Sequence, residues 1–409
     1  MKVGILIIGD EILLGRVTDT NSGAIARAVD KIGARVVSIV TVGDSAEAIR
    51  GGVNELIERC DVVFTTGGLG PTKDDITKKV LTEIFGGETV RDPRVTDNIL
   101  RIFEKRNLKV NTLTLDQALV PSSAVIIQNR FGTAPVMVFE KAGCTLISLP
   151  GVPFELEGML PETIGYLWNR HRSGMQINHV TRILTGISES ALAQRLDDFE
   201  NALPDNYKLA YLPDSPIMKL RLDCYGDSRD LERLTLQLDG ILDSTDGIFV
   251  LGKEDKTVGE IIVDTLRDKA MTLSTAESCT GGNIARIVTA VPGASAIFLG
   301  GVVSYSNEVK ADILGVGRET LRTYGAVSRQ VVVQMAEGSC RAMSTDCAVA
   351  TSGIAGPGGA TPEKPVGTVW IAVKTPKGLV TECYHFPGNR QRVIERATVT
   401  ALIMLLKNL

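Results

Sequence analysis

Short apolar runs and amphipathic stretches alternate through much of this 409-residue chain. Val3 to Gly9, Val36 to Val42 and Asp61 to Thr66 are nearly continuous apolar runs, and each reads as a strand. Between them, apolar residues recur at helical spacing from Asn21 to Ile32, from Asp44 or Ser45 to Arg59, and from Ile76 to Phe85. Asn21 and Asp44 or Ser45 are suitable helix caps. Strands that lack polar alternation need cover on both faces. The pattern therefore predicts a mostly parallel sheet with helices on each side over residues 1–170.

The pattern changes after the polar break His171-Arg172-Ser173-Gly174. Thr181 to Thr185 and Met218 to Tyr225 read as strands, and Ser188 to Phe199 and Arg229 to Leu242 as helices. Clean alternation in Ile217 to Asp223 marks a half-exposed strand. Residues 174–253 thus form a small α+β module. It carries no G-x-x-G clamp in a suitable place, which argues against RNA binding and for a spacer that supports self-association.

Residues 255–409 return to strand–helix alternation. Thr257 opens a helix, Met271 to Ala276 is a buried strand, and Asn283 to Ala290 is a helix. Ala296 to Ser304 is the next strand, and Ser328 caps a helix to Met343. Strands follow at Cys347 to Thr351, Thr368 to Val373 and Val380 to Phe386, before a terminal helix led by Arg390, Arg392 and Arg396.

Composition narrows the function classes. Charged residues are 22%, hydrophobic ones 44%, and the net charge is −4, as in an ordinary globular enzyme without the basic face that nucleic acid requires. The seven cysteines are odd in number and form no C-x-x-C, so neither a disulfide framework nor a zinc site is indicated and a cytoplasmic setting fits. Asp10-Glu11 interrupts the first apolar run, so no signal peptide is read. No run is long enough to span a membrane.

Three loops follow strands in the first 170 residues: Gly9 to Gly15, Thr65 to Asp75, and Leu149 to Glu155. Ligands of such sheets bind beyond the carboxyl ends of the strands. Thr66, Gly67, Gly68 and Gly70 can cradle a phosphate, while Asp10, Glu11 and Asp74 can hold a divalent cation against a diphosphate. Any one loop alone is a tight turn, and Asp74 and Asp75 alone are favourable charges at a helix start.

In the last region, Ala276-Glu277-Ser278-Cys279-Thr280-Gly281-Gly282 places Ser278 where a strand turns into a helix. The helix's first N–H groups suit an anion or the oxyanion of acyl transfer, with donors expected near Thr280 and Gly281. A serine needs a base. His385 sits among strand residues, so Tyr305 and Lys310 are the better candidates: a lysine can keep a tyrosine ionised, or act as base itself when desolvated. We expect Tyr305 to take the proton and Lys310 to lower its pKa. Cys279 is the alternative nucleophile, but no histidine is placed to activate it.

The segment TTGGLGPTKDD resembles the signature of the molybdopterin-binding fold. GDEILLGRVTDTN, LPGVPFE and Gly132-Thr133-Ala134-Pro135 are similar to its version in the competence/damage-inducible CinA family, although Val136 replaces a usual glycine. The resemblance implies functional aspartates at Asp75 and Asp44 and metal-dependent hydrolysis of ADP-ribose. It also implies a three-layer α/β first domain (1–170) and a KH-like linker (174–253). AESCTGG, the run from Tyr305 through Asn307 to Lys310, and GIAGPGG resemble the family's C-terminal α/β domain (255–409), a nicotinamide-mononucleotide deamidase. That implies a catalytic Ser278, Tyr305 and Lys310, with no cofactor. Thr280, Gly281, Gly282, Asn307, Gly353, Ala355, Gly356, Gly358 and Arg390 are then the substrate contacts. Ile394 stands where many relatives carry arginine, which leaves Arg392 and Arg396 unassigned. The expected ligands are small nucleotides and the expected assembly a homodimer. Two other readings are a non-catalytic accessory to DNA uptake or repair, and a pterin binder.

Overall fold

The computed structural model describes residues 1–72, 75–170 and 177–409. They divide into two compact units, Met1–Asn178 with Tyr225–Ser228, and His179–Cys224 with Arg229–Leu409. The polar break expected at His171 to Gly174 lies outside the described residues.

The first unit opens β1 (Lys2–Ile8), α1 (Asp10–Leu13), α2 (Asn21–Asp30), β2 (Arg35–Val42), α3 (Ala46–Arg59), β3 (Val62–Thr66) and α4 (Thr77–Phe85). It continues with β4 (Thr89–Arg91), α5 (Pro93–Lys105), α6 (Thr112–Leu115), β5 (Leu119–Pro121), β6 (Val125–Ile127), β7 (Val136–Lys141), β8 (Cys144–Leu149) and α7 (Pro153–Arg170). Its main sheet runs β2-β1-β3-β8-β7-β6. The first four strands are parallel, and β7 and β6 add an antiparallel margin. The apolar run of β1 has a simple cause. Ile5 and Ile7 join a core with α2 and α7, whereas Leu6 and Ile8 join one with α3 and α4. Both faces are buried, which stabilises by about 1.5–3 kcal/mol per large side chain relative to exposure. The result is a three-layer α/β unit.

In the second unit, β9 (Ile177–Thr185), α8 (Glu189–Asn201), β10 (Tyr207–Asp214), β11 (Ile217–Tyr225), α9 (Leu231–Asp243) and β12 (Phe249–Gly252) make a sheet of order β10-β11-β9-β12. The sequence pattern does not reveal β10. Pro213 lies within it and the second half is exposed, which suits only an edge strand.

The remaining elements are α10 (Val258–Asp268), β13 (Leu273–Glu277), α11 (Asn283–Thr289), β14 (Phe298–Val303), α12 (Asn307–Asp312), α13 (Arg318–Tyr324), α14 (Arg329–Met343), β15 (Cys347–Gly353), β16 (Thr368–Thr375), β17 (Gly378–His385) and α15 (Arg390–Asn408). Thr257 and Glu260 form a reciprocal capping box at the start of α10. The sheet runs β14-β13-β15-β16-β17, parallel through its first three strands and antiparallel beyond. Helices α10, α11 and α15 share a core with one face, and α14 packs on the other. β13 thus lies between two parallel neighbours and delivers Ser278 to the carboxyl edge. Among the described residues no helix is long and apolar enough to cross a membrane.

Candidate active sites

Ser278 follows β13, and its N–H donates to the Thr351 carbonyl of β15 at 3.0 Å. The chain then turns through Gly281 (φ 63°) and Gly282 (φ 94°), left-handed conformations that favour glycine. Lys310 approaches from α12. Its side chain is only 1% exposed, and its Nζ donates to Ser278 Oγ at 3.1 Å, to the Ser304 carbonyl at 2.6 Å and to the Tyr305 carbonyl at 3.4 Å. Burial pushes the Lys310 ammonium below its ordinary pKa, since desolvation disfavours the charged form. A desolvated amine in contact with a hydroxyl is the arrangement of a serine activated by a lysine base.

Tyr305 occupies a different place from the one expected. It is 63% exposed, and its hydroxyl accepts from Arg390 Nη2 at 2.9 Å. Lys310 meets only its main-chain carbonyl. The geometry therefore gives direct contact with the serine to Lys310 and links Tyr305 to Arg390. Arg390 Nη1 also donates to the Gly356 carbonyl at 2.7 Å, so one guanidinium joins the end of β14 to the glycine loop.

The helix start is also used differently. Glu277, missed as a functional residue by the sequence reading, turns its carboxylate back over α11. It accepts the N–H groups of Gly282 at 3.0 Å, Ile284 at 3.1 Å and Ala285 at 2.9 Å. The first turn of α11 is thereby filled by a protein carboxylate rather than left open for an anion. The Gly281 N–H donates to the Ser278 carbonyl at 3.2 Å, which removes it as an oxyanion donor. Among the described residues the N–H groups of Cys279 and Thr280 have no backbone acceptor. The Thr280 hydroxyl points inward, donating to Glu277 at 2.7 Å and lying 2.7 Å from Thr351 Oγ1, so only its main chain faces outward chemistry. Cys279 is 7% exposed, and burial raises its thiol to about 12. Burial thus disfavours the thiolate, which is the nucleophilic form.

The other expected contacts lie at the start of α12 and in the loop that follows β15. Asn307 is exposed at the start of α12. Gly353 ends β15, Gly356 and Gly358 continue the loop, and the Ala355 side chain is buried, which leaves its main chain. A cleft of about 590 Å³ beside the turn after Ser278 is lined by Thr280, Gly281, Gly282, Arg286 and Arg390, among others.

The first unit has its own cleft, of about 480 Å³, at the carboxyl ends of β1 and β3. Glu11, Asp44, Thr66, Gly67, Gly68, Gly70 and Asp75 all line it. Gly67, at φ 110°, passes so close to β1 that a Cβ would lie 2.0 Å from the Ile8 carbonyl oxygen. Asn21 ties the loops together: its Nδ2 donates to Thr66 Oγ1 at 3.1 Å and to the Gly151 carbonyl at 2.8 Å. It does not cap α2; the Asp19 carboxylate takes that role, accepting the N–H groups of Asn21 and Ser22. Asp75 faces its own loop, accepting from Gly70 N at 2.8 Å and Thr72 N at 3.0 Å. Asp10 and Asp44 accept each other's backbone N–H. Asp74 lies outside the described residues. Among the described residues no group of three or more His, Cys, Asp or Glu side chains is placed to hold a metal. Asp10, Asp44 and Asp75 each accept backbone N–H groups, which holds their carboxylates in place.

Comparison with known proteins gives matches along the whole chain. Residues 255–409 match the model of the CinA C-terminal domain, and residues 4–168 that of a probable molybdopterin binding domain. The CinA-like protein of Flavobacterium psychrophilum is 39% identical over 413 residues, covering 100% of this chain and 99% of its own. That of Cytophaga hutchinsonii is 41% identical over 410 residues, 98% of this chain and 96% of its own. A solved structure of the competence/damage inducible protein CihA from Agrobacterium tumefaciens is 43% identical, covering 37% of this chain and 92% of that chain with a TM-score of 0.36. A probable molybdopterin binding domain followed by a CinA C-terminal domain defines the class. The chain belongs to the CinA family.

Proposed function

We propose that the second unit hydrolyses the carboxamide of nicotinamide mononucleotide, giving nicotinate mononucleotide and ammonia. The observation that carries this reading is the 3.1 Å contact between Lys310 Nζ and Ser278 Oγ. Neutral Lys310 takes the hydroxyl proton as Ser278 Oγ attacks the carboxamide carbon. The tetrahedral oxyanion meets the N–H groups of Cys279 and Thr280, where losing one donor typically costs about 2.7–4 kcal/mol. Protonated Lys310 gives its proton to the departing nitrogen; the C–N bond breaks and ammonia leaves a nicotinoyl ester on Ser278. Water, deprotonated by Lys310, then cleaves the ester and restores the serine. Arg390 and the Gly353 to Gly358 loop are suited to the phosphate and ribose. Incubation with nicotinamide mononucleotide, following ammonia, tests the reading.

For the first unit we propose hydrolysis of the diphosphate of ADP-ribose to AMP and ribose 5-phosphate. The glycine-rich loop held by Asp75 supports it, because backbone N–H groups presented in one cleft suit a phosphate. The divalent cation expected for this reaction, with Asp10, Glu11 and Asp74 as the residues that would hold it, would neutralise charge on the diphosphate. Assay of ADP-ribose cleavage with a panel of divalent metals tests this half. We also propose that the protein acts as a cytoplasmic homodimer on small nucleotides without binding nucleic acid. A monomeric mass by light scattering would contradict the first point, and tight DNA retention on a filter at low salt the last.

A further inference from the structure

Glu277 is 1% exposed, and its carboxylate is satisfied by the segment that follows it. Oε2 accepts the N–H groups of Gly282 and Ile284 and the Thr280 hydroxyl, and Oε1 accepts the N–H of Ala285. A charge this deeply buried is costly unless several donors face it. Here three belong to the first turn of α11 and its approach, where the helix dipole also favours a negative group. These bonds fix the turn that carries Ser278.

The main chain of the same residue acts on the other side of the dyad. The Glu277 carbonyl accepts the Ser304 N–H at 2.8 Å, and the Ser304 carbonyl in turn accepts Lys310 Nζ at 2.6 Å. One residue therefore anchors the nucleophile's turn through its side chain and the lysine's carbonyl partner through its backbone. We infer that Glu277 is a positioning residue that sets the separation of Ser278 and Lys310, an inference that rests on the assignment of that pair as nucleophile and base. Glu277 is not placed to touch substrate through its carboxylate, since all its partners lie within the turn and α11.

Glu277→Gln is the informative variant. It keeps the shape, but an amide has one acceptor oxygen. If that oxygen keeps the Gly282, Ile284 and Thr280 donors, the NH₂ group faces the Ala285 N–H. Misplacement of a reacting group by about 1 Å can cost roughly 10²-fold. We expect a folded protein with kcat for nicotinamide mononucleotide lowered by at least about 10-fold and KM within about 2-fold of wild type. A helix cap with no positioning role would lower the melting temperature and leave kcat per folded molecule unchanged, and that result overturns the inference; so does a raised KM with kcat intact. Thr280→Val, which deletes one donor to Glu277, should lower kcat in the same sense and carries the test if Glu277→Gln does not fold. If wild type fails to deamidate the nucleotide, the functional reading has failed. The rate of Ser278 labelling by a fluorophosphonate then decides: slower labelling in the variants supports positioning, and equal labelling refutes it.

Discussion

Lys310 Nζ stands 3.1 Å from Ser278 Oγ, although 32 positions separate the two residues in the chain. The serine is held by β13 and β15, and the lysine reaches it from α12 with its own side chain buried. Desolvation lowers the lysine's pKa, which is the property a general base near neutral pH needs.

The pH dependence follows from that direction. Only neutral Lys310 can accept the serine proton, so kcat/KM should rise with pH through the depressed pKa, earlier than an ordinary lysine would allow. Stability has the corresponding sign. The folded protein carries the cost of a buried ammonium fully below the folded pKa and is relieved of it as pH rises toward the unfolded value. Lys310→Met should therefore gain stability relative to wild type most at low pH, with the difference narrowing as pH rises. Melting curves across pH check this, and a pH-independent difference would contradict it.

Tyr305 and Lys310 separate by kinetics. Tyr305→Phe loses the hydroxyl on Arg390 but leaves the Lys310–Ser278 contact intact. The expected result is a raised KM with kcat within roughly 10-fold of wild type, whereas Lys310→Ala should lose roughly 10³-fold or more in kcat. A comparable loss of kcat in both variants would restore the tyrosine as the proton acceptor.

Cys279 should be a bystander. Its thiol, raised to about 12 by burial, is protonated at neutral pH. Iodoacetamide should leave it unmodified in the folded protein, and Cys279→Ala should keep most of the ammonia release. Rapid alkylation at pH 7 that tracks loss of activity would be the opposite outcome.

Asp75 holds its loop through the Gly70 and Thr72 N–H groups. Asp75→Asn replaces one acceptor oxygen by an NH₂ group facing the Gly70 or Thr72 donors. ADP-ribose cleavage should fall by roughly 10-fold or more while nicotinamide mononucleotide deamidation is unchanged. Parallel assays of the two substrates on one preparation separate the effects, and equal losses in both would point to general unfolding.

How much of this was legible in the sequence varied by element. Ser278 and Lys310 were visible as types and spacings, because a serine at a strand–helix corner and a lysine after a strand are local features. Their direct contact was not, since it depends on the path of β14 and the depth of α12. Glu277 read only as part of the turn segment after the strand ending at Ala276; its signal is a carboxylate several residues before a glycine-led helix start, a cap reaching further than Ser, Thr or Asp at the adjacent position. The β7–β8 hairpin was missed because Ala142 (φ 53°) and Gly143 (φ 81°) make its turn without the Asn-Gly or Asp-Gly that usually announces one.

Ammonia release from nicotinamide mononucleotide by wild type, Ser278→Ala and Cys279→Ala, measured side by side on folded protein, tests the central claim most directly. The predicted result is turnover by wild type and Cys279→Ala and a loss of roughly 10⁴-fold or more in Ser278→Ala. Turnover that survives in Ser278→Ala, or that disappears only in Cys279→Ala, would contradict the assignment of Ser278 as nucleophile.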